Sequence, residues 1–203
     1  MKTSFLLPAV AVVAFAAATQ AADLYRLDPV HSTLGFAVDH LVISKVHGRF
    51  KSWEATLSLD PAAGNAPVAA HAVIQTASVD TAVEARDKDL RSPNFFDAEK
   101  FPEIRFDCSR FEKEGGRYVA VGNFTMHGVT KEIRLPFTLK GPIQDPWGKT
   151  RVALEARMTL NRRDYGLTYS KALETGGLVV GNEVFLEINA EAVKEPAAKQ
   201  RLD

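Results

Sequence analysis

The sequence predicts an all-β fold of eight antiparallel strands, and three observations carry this prediction. Apolar and polar residues alternate with period two through most of the chain between residues 33 and 190. Most alternating segments have one apolar and one polar face, which is typical of antiparallel sheets with one dry side. Few helical segments are available to cover that side. We therefore expect it to close on itself as a barrel or to pack as a sandwich.

The first two strands illustrate the alternation. Strand one spans residues 33–38 and has its large apolar side chains at even positions. Strand two spans residues 46–60, but its part up to Phe50 runs in the opposite phase to its part from Trp53 onward. A β-bulge near Ser52 would reconcile the two phases and would bend the strand, as the closure of a barrel requires.

Six further strands are expected, at residues 70–76, 104–109, 118–126, 132–139, 152–160 and 183–190. Pro136 lies within the sixth strand and indicates an edge or bulged position, because proline has no N–H group to donate. The apolar residues that we expect to face the interior and to contact a ligand there are Leu34, Phe36, Val38, Ile74, Ile104, Phe106, Tyr118, Phe124, Ile133, Leu135, Phe137, Leu154, Met158, Leu186 and Ile188.

The residues alone leave two alternatives for the interior, a cavity or a solid core. Small inward residues, at Ala55, Ala120, Gly122 and Ala156, leave room beside the phenylalanines of neighbouring strands. An eight-stranded barrel is only wide enough to be filled by side chains or to hold one slim ligand. A flexible hydrocarbon chain suits such a space better than a compact polar metabolite.

Two connections interrupt the strands, at residues 40–46 and 80–92. The second has the composition of a short helix, for which Asp80 or Thr81 is a suitable N-cap. Glu84 precedes Lys88 by four residues, in the sign order that stabilises a helix. In an eight-stranded barrel such a helical crossover would lie near one mouth.

Four residues of this crossover are candidates for ligand contacts at the mouth. Arg86 and Arg91 either tie the helix to neighbouring carboxylates or bind a pyrophosphate or quinone carbonyl on the head of a ligand. Phe95 and Phe96 are expected in the core or against the tail of the ligand, because two exposed phenylalanines would be costly.

The ends of the chain predict an exported protein. Residues 1–21 combine one lysine, an apolar run and small residues at Thr19 and Ala21, which indicates a signal peptide cleaved after Ala21 and a periplasmic location. Residues 22–193 then form one domain, and residues 194–203 form a charged, flexible tail. Removal of Lys2 leaves 24 basic and 25 acidic residues, a balance that favours neither nucleic acid nor an anionic membrane as partner.

The sequence offers little for catalysis or metal binding. The five histidines show no pair at the spacing of a helical or strand metal site. The single cysteine, Cys108, lies on an apolar phase and is expected to be a buried structural thiol. No serine stands in a nucleophile-elbow motif. We therefore expect no catalytic residue, no metal and no cofactor other than a bound lipid.

Several motifs, in order through nearly the whole mature chain, resemble those of the YceI-like family. They are His40-Leu41, Gly48-Arg49-Phe50, SVDT at residues 78–81, Arg86-Asp87, Leu90-Arg91-Ser92, Phe95-Phe96-Asp97, Phe101-Pro102, HGVTK at residues 127–131, Asp145-Pro146-Trp147-Gly148 and Arg163-Asp164-Tyr165-Gly166. The family usually has histidine where this chain has Asp89, and often aspartate where it has Asn94. No role for a histidine in this segment is therefore carried over.

The resemblance implies a lipocalin-like eight-stranded antiparallel barrel. It also implies an exported bacterial protein that holds a polyisoprenoid, such as an isoprenoid quinone or a polyprenyl pyrophosphate, in its lumen. We accordingly expect a binding and carrier protein, with no stable membrane insertion and only transient membrane contact. Two alternatives stay open: an enzyme acting on an isoprenoid or quinone head group at the mouth, and a solid-core stress or interaction module. The sequence leaves the oligomeric state undetermined.

Overall fold

The structure, a computed structural model, describes residues 21–171 and 178–196. The predicted signal peptide, apart from Ala21, and residues 197–203 of the predicted tail lie outside these residues. The strands are β1 (Asp23–His40), β2 (Ser44–Phe50), β3 (Trp53–Asp60), β4 (Ala66–Gln75), β5 (Val79–Asp80), β6 (Glu103–Glu114), β7 (Arg117–Met126), β8 (Val129–Gln144), β9 (Thr150–Asn161) and β10 (Val180–Lys194). The helix is α1 (Glu84–Arg91), and short 3₁₀ helices span Pro61–Ala63, Thr76–Ser78 and Arg162–Tyr165.

The strands form one antiparallel sheet that closes into a barrel. Each strand from β6 to β10 pairs with the next along the chain, β4 joins β3 to β6, and the pairing of β10 with β1 closes the ring. β2 pairs with the second half of β1 and β3 with its first four residues, so β2 and β3 act as one bent strand. The two-residue β5 pairs only with the last two residues of β2. The barrel therefore has eight strand positions, which confirms the predicted all-β, lipocalin-like fold.

The phase break in the second predicted strand is confirmed at Lys51 and Ser52, which separate β2 from β3. Phe50 and Trp53 both line the interior although they are three residues apart. A regular strand would send residues at an odd separation to opposite faces. The two intervening residues therefore restore the inward phase and bend the strand around the barrel.

Pro136 lies where β8 changes its neighbours. The pairing of β8 with β7 extends over Val129–Phe137 and includes Pro136 opposite Val119. Its pairing with β9 begins only at Phe137, opposite Ala156. At Pro136 the strand is thus paired on one side, which agrees with the predicted edge-type position.

The crossover before β6 contains a shorter helix than the sequence predicted. α1 begins at Glu84, and its N-cap, Val83, makes no side-chain cap hydrogen bond. The prediction of Asp80 or Thr81 as N-cap is wrong because the chain turns once more before the helix. Asp80 Oδ1 accepts a hydrogen bond from the Ala82 N–H, and Ala82 has a left-handed φ of 62°.

Candidate ligand-binding cavity

The barrel encloses an apolar cavity of about 240 Å³. One end, here called the closed end, is filled by Tyr25 and Leu59, which are 1% and 0% exposed and pack with Leu57 and Val152. The other end, here called the helical end, is covered by α1 and the residues that follow it, from which Leu90, Phe95 and Phe96 line the cavity. The interior is therefore a slim lumen with one end sealed by side chains.

The predicted interior residues all line this cavity except Tyr118. Tyr118 packs on the edge of the same core, with its ring stacked against Phe137 at a centroid distance of 5.6 Å. The alternation located the others because each lies on a regular stretch of strand, where the inward phase persists for several residues.

Several lining residues escaped the sequence analysis because bulges shift the phase. Phe111 lines the cavity together with Phe106, although the two are five residues apart on β6. The register of β6 against β7 shifts between Cys108 and Arg110, and this irregularity turns Phe111 inward. The apolar character of Phe111 was a usable signal, but its phase contradicted the preceding stretch.

Two glycines allow close approach at the barrel wall. A Cβ on Gly48 would lie 2.3 Å from Cζ of Phe36, whose ring covers this position from the lumen side. A Cβ on Gly122 would lie 2.4 Å from the backbone oxygen of Asp107 on β6. Gly48 thus makes room for a lining ring, whereas Gly122 makes room for a neighbouring strand. Ala55 and Ala120 line the cavity as predicted, and Ala156 lies buried in the same core.

Aromatic contacts hold the covering segment on the helical end. The Phe96 ring meets the Phe50 ring edge-on at a centroid distance of 5.7 Å. The Phe95 ring lies 5.1 Å from that of Tyr169, on the chain between β9 and β10. Phe95 is buried. These two phenylalanines therefore lie near the mouth, with one face available to the cavity.

Arg86 bonds within the crossover, but to Thr81 and not to a carboxylate as its predicted structural role required. Its Nε donates to Thr81 Oγ1 at 2.7 Å and its Nη2 donates to the Thr81 carbonyl at 2.9 Å. The buried Asp87 completes this cluster by accepting from the N–H and the hydroxyl of Thr81 at 2.8 and 2.5 Å. The cluster fastens the turn before α1 to the helix, and Arg86 is not among the residues that line the cavity.

Arg91 also lies outside the cavity lining. Its Nη2 donates at 3.0 Å to Oε1 of Glu84, an exposed residue seven positions earlier on α1. The two positions at which this chain departs from the family motif bond to each other, because Asn94 Nδ2 donates to Asp89 Oδ1 at 2.8 Å. These polar residues stabilise the crossover on its solvent side.

Arg162 is a lining residue that the sequence analysis missed. It is 4% exposed and begins the 3₁₀ helix after β9, at the helical end. The other polar residues of the lining are Thr56 and His71, and the His71 ring bonds to the exposed Asp107 on the solvent side. Within the described residues, Arg162 is therefore the one charged group buried against the cavity. The neighbouring Arg163, with which the Arg-Asp-Tyr-Gly motif begins, is exposed.

One cluster of potential metal ligands occurs in residues 21–171 and 178–196, formed by Asp28, His31 and Glu191. Arg151 already contacts it: its Nη1 lies 2.7 Å from Asp28 and 3.4 Å from Glu191, and its Nε lies 2.7 Å from Asp145. The Arg151 and His31 side chains lower the pKa of Asp28 to about 2. A guanidinium that satisfies these carboxylates makes the cluster an ion-pair network on the barrel wall.

The single cysteine is placed as the sequence predicted. Cys108 is buried, and burial raises the pKa of its thiol, which keeps it protonated at neutral pH. His47 and His71 are exposed. Across the described ranges, no helix combines the length and apolar character that a membrane crossing needs.

The model of the YceI-like domain family matches residues 25–192, from the third residue of β1 almost to the end of β10. The chain belongs to the YceI-like family. This YceI-like chain is 37% identical over 169 residues to a UPF0312 protein of Photorhabdus laumondii, covering 81% of the chain and 85% of that protein. It is 33% identical over 200 residues to protein YceI of Salmonella newport, covering 96% and 100%.

Solved structures show the same YceI-like barrel. The YceI protein of Campylobacter jejuni matches with a TM-score of 0.66 and 29% identity over 78% of this chain and 90% of that one. BcnA of Burkholderia cenocepacia matches with a TM-score of 0.70 at 19% identity, covering 81% and 98%. A polyisoprenoid-binding domain of Saccharophagus degradans matches with a TM-score of 0.64 at 17% identity, covering 84% and 98%. The last two similarities show a shared fold.

Proposed function

We propose that this protein is a periplasmic carrier that holds one polyisoprenoid lipid in the barrel lumen. The observation that carries the proposal is the cavity itself, which is about 240 Å³ in volume, is sealed at one end and is lined almost entirely by apolar side chains. The polyisoprenoid-binding domain of Saccharophagus degradans, which shares the fold, supports the choice of ligand class. The proposal assigns the protein no catalytic residue.

The shape of the lumen favours a long, thin, apolar ligand. An eight-stranded barrel leaves space for one slim molecule along its axis. Each buried methylene contributes about 0.8 kcal/mol, so a chain of several isoprene units gains enough free energy to offset its own ordering. Aromatic and branched side chains from opposite walls, such as Phe36, Phe106 and Leu186, supply that contact.

The carrier role requires that the ligand can enter and leave. The covering segment is held on the barrel by ring contacts, such as that between Phe50 and Phe96, whereas polar bonds such as that between Arg91 and Glu84 lie within the segment itself. Neither kind of contact is continuous with the strand hydrogen bonding of the barrel. We infer that the segment from α1 to Phe96 is displaced when a lipid passes.

Export and lipid content are tested together. The chain is expressed with its own residues 1–21 in a Gram-negative host, the periplasmic fraction is purified, and the extracted organic-soluble material is weighed by mass spectrometry. We expect a protein that begins at Ala22 and a bound isoprenoid at about one molecule per chain. Protein that stays in the cytoplasm contradicts the location, and a periplasmic protein free of isoprenoid contradicts the binding function.

A matched pair of variants separates lumen binding from surface adsorption. Ala120→Leu adds volume to a buried position that lines the cavity. Ala85→Leu adds the same atoms to an exposed position on α1. Lipid retention should fall in the first variant and stay unchanged in the second. Equal retention in both would place the lipid outside the lumen.

A further inference from the structure

The charged group that faces the apolar lumen is Arg162, and its hydrogen-bond partners among residues 21–171 and 178–196 are all backbone oxygens. Its Nε donates to the Gly181 carbonyl at 2.7 Å, its Nη1 to the Leu167 carbonyl at 2.6 Å and its Nη2 to the Val180 carbonyl at 3.2 Å. Leu167 follows the 3₁₀ helix, and the other two acceptors begin β10. The guanidinium thus bridges the two ends of the connection between β9 and β10.

The donors of Arg162 are not exhausted by these bonds. A guanidinium has five N–H groups, and the three carbonyls account for one on each nitrogen. In the part of the chain that the structure describes, one N–H on Nη1 and one on Nη2 therefore remain without an acceptor. Within the described residues, no carboxylate lies in ion-pair contact with Arg162, and burial lowers the pKa of its guanidinium. A cation in this position is costly unless a further acceptor reaches it.

We propose that Arg162 is the head-group anchor of the cavity and that the ligand carries an oxygen acceptor, a carbonyl or a phosphate, at one end of its apolar chain. The inference rests on the proposed function. It places the head of the lipid at the helical end and directs the tail toward Tyr25 and Leu59 at the closed end.

The three carbonyls make this anchor pre-organised. They hold the guanidinium plane in one orientation, so the unused N–H groups need no side-chain reordering when an oxygen arrives. If its role were only to tie the connection together, a neutral donor would serve with a smaller desolvation cost. The positive charge adds strength specifically toward an oxygen acceptor, and more so toward an anionic one.

The other basic residues near this end are less suited to the role. Arg86 is bonded to Thr81, and Arg91 to Glu84. Neither lines the cavity. Arg163 follows Arg162 directly but is exposed, which makes it a matched control of the same residue type.

The test uses Trp53 as a reporter of the lumen. The chain has two tryptophans: Trp53 lines the cavity, and Trp147 is 81% exposed. In a Trp147→Phe background, quenching of Trp53 by a long-chain isoprenoid quinone reports occupancy. A polyprenyl phosphate and the hydrocarbon squalene are then compared as competitors for the delipidated full mature chain.

We expect the quinone or the phosphate to bind at least tenfold more tightly than squalene, a difference of about 1.4 kcal/mol. Preference for the phosphate identifies an anionic head, and preference for the quinone identifies a carbonyl head. Arg162→Met should reduce this preference to near unity by weakening the binding of the oxygen-bearing probes, and Arg163→Met should keep the preference. Arg162→Lys, which retains the charge but loses the paired donors, should give an intermediate preference.

The outcomes separate the inference from the function on which it rests. Wild-type protein that binds squalene as tightly as the oxygen-bearing probes overturns the anchor, and this measurement needs no variant to fold. A folded Arg162→Met protein that keeps the wild-type preference overturns it as well. If none of the three probes binds, the proposed isoprenoid-binding function itself is wrong.

Discussion

At the scale of single residues, one ionised network on the barrel wall makes the stability of the protein depend on pH. Arg151 joins Asp28 on β1 to Asp145 after β8 and to Glu191 on β10. The hydrogen bonds from Arg151 and His31 lower the pKa of Asp28 from 3.8 to about 2. The network therefore ties β1, β9, β10 and the segment after β8 at a place where the pairing of β1 with β10 is interrupted, between Asp28 and Thr33.

The sign of this dependence follows from the lowered pKa. The unfolded chain binds a proton at Asp28 at higher pH than the folded chain does, so the contribution is complete above about pH 5 and is lost as the pH falls toward 2. We expect Asp28→Asn to lower the free energy of unfolding by about 1 kcal/mol at pH 7, after allowance for solvent screening.

Urea unfolding at a series of pH values measures this difference. The gap between wild type and Asp28→Asn should close as the pH approaches 2. Asp39→Asn removes an exposed ion pair with Lys45 and should change the stability little at any pH. A gap of the same size at pH 2 and pH 7 would show that Asp28 acts through packing.

A second prediction at this scale concerns Gly122 and Gly48. Replacement by alanine should act at each position through a different neighbour. Gly122→Ala brings its Cβ against the backbone of β6, which cannot move without breaking strand pairs. We expect a loss of about 2–3 kcal/mol in the free energy of unfolding. For Gly48→Ala, the three atoms nearest to the new Cβ all belong to the tip of the Phe36 ring, which can swing into the cavity.

Gly48→Ala should therefore change lipid binding more than it changes the stability of the fold. Its unfolding free energy should fall by less than about 1 kcal/mol, while the displaced Phe36 ring occupies lumen space and lowers lipid retention. Chemical denaturation and extraction of bound lipid measure the two effects on both variants. A large stability loss in Gly48→Ala with unchanged lipid content would refute the assignment of Phe36 as a movable lining ring.

At the scale of elements, the turn between β1 and β2 carries backbone strain. Leu41 and Val42 have φ values of 54° and 66°, and the Ile43 N–H donates to the His40 carbonyl at 3.2 Å. This is the geometry of a type I′ hairpin turn, in which asparagine and glycine are preferred. A β-branched residue in the left-handed region is an outlier.

Val42→Gly should therefore stabilise the protein. Val42 is 68% exposed and loses little contact, so relief of the backbone strain should add about 0.5–1 kcal/mol to the free energy of unfolding. Val68→Gly on β4, at an exposed strand position, should instead destabilise it. Thermal unfolding of the two variants compares them directly, and a destabilised Val42→Gly would mean that the Val42 side chain makes a stabilising contact.

At the scale of the whole molecule, the cavity links ligand binding to stability. A lipid that binds the folded barrel alone stabilises it by an amount that rises with its free concentration, about 2.7 kcal/mol at 100 times the dissociation constant. We expect delipidated protein to melt at a lower temperature than the loaded form and to recover on addition of an isoprenoid quinone. Calorimetry of the two forms measures the shift, and Ala120→Leu should show a smaller one. Equal melting temperatures would mean that the lumen of the folded protein does not bind the lipid.

Local sequence determined the strands and their faces. The period-two pattern identified the eight strand positions, and all but one of the residues that it predicted for the lumen line the cavity. This is because burial of one face of a strand requires that pattern. It also located the bend at Ser52 and the unusual position of Pro136. These features depend only on residues that are neighbours in the chain.

Tertiary structure decided which polar groups reach the lumen. The sequence made Arg86 and Arg91 candidates for ligand contacts because they lie in a highly charged segment. Their partners, Thr81 and Glu84, lie on that same segment. The sequence contains no sign that Arg162 differs from its neighbour Arg163. Arg162 is buried because its guanidinium bonds to carbonyls five and about nineteen residues away, and only the closed barrel brings these groups together. The alternation of apolar and polar residues predicts the face of a strand on which a side chain lies. The partners of a buried charge depend on contacts between distant parts of the chain, which the alternation does not contain.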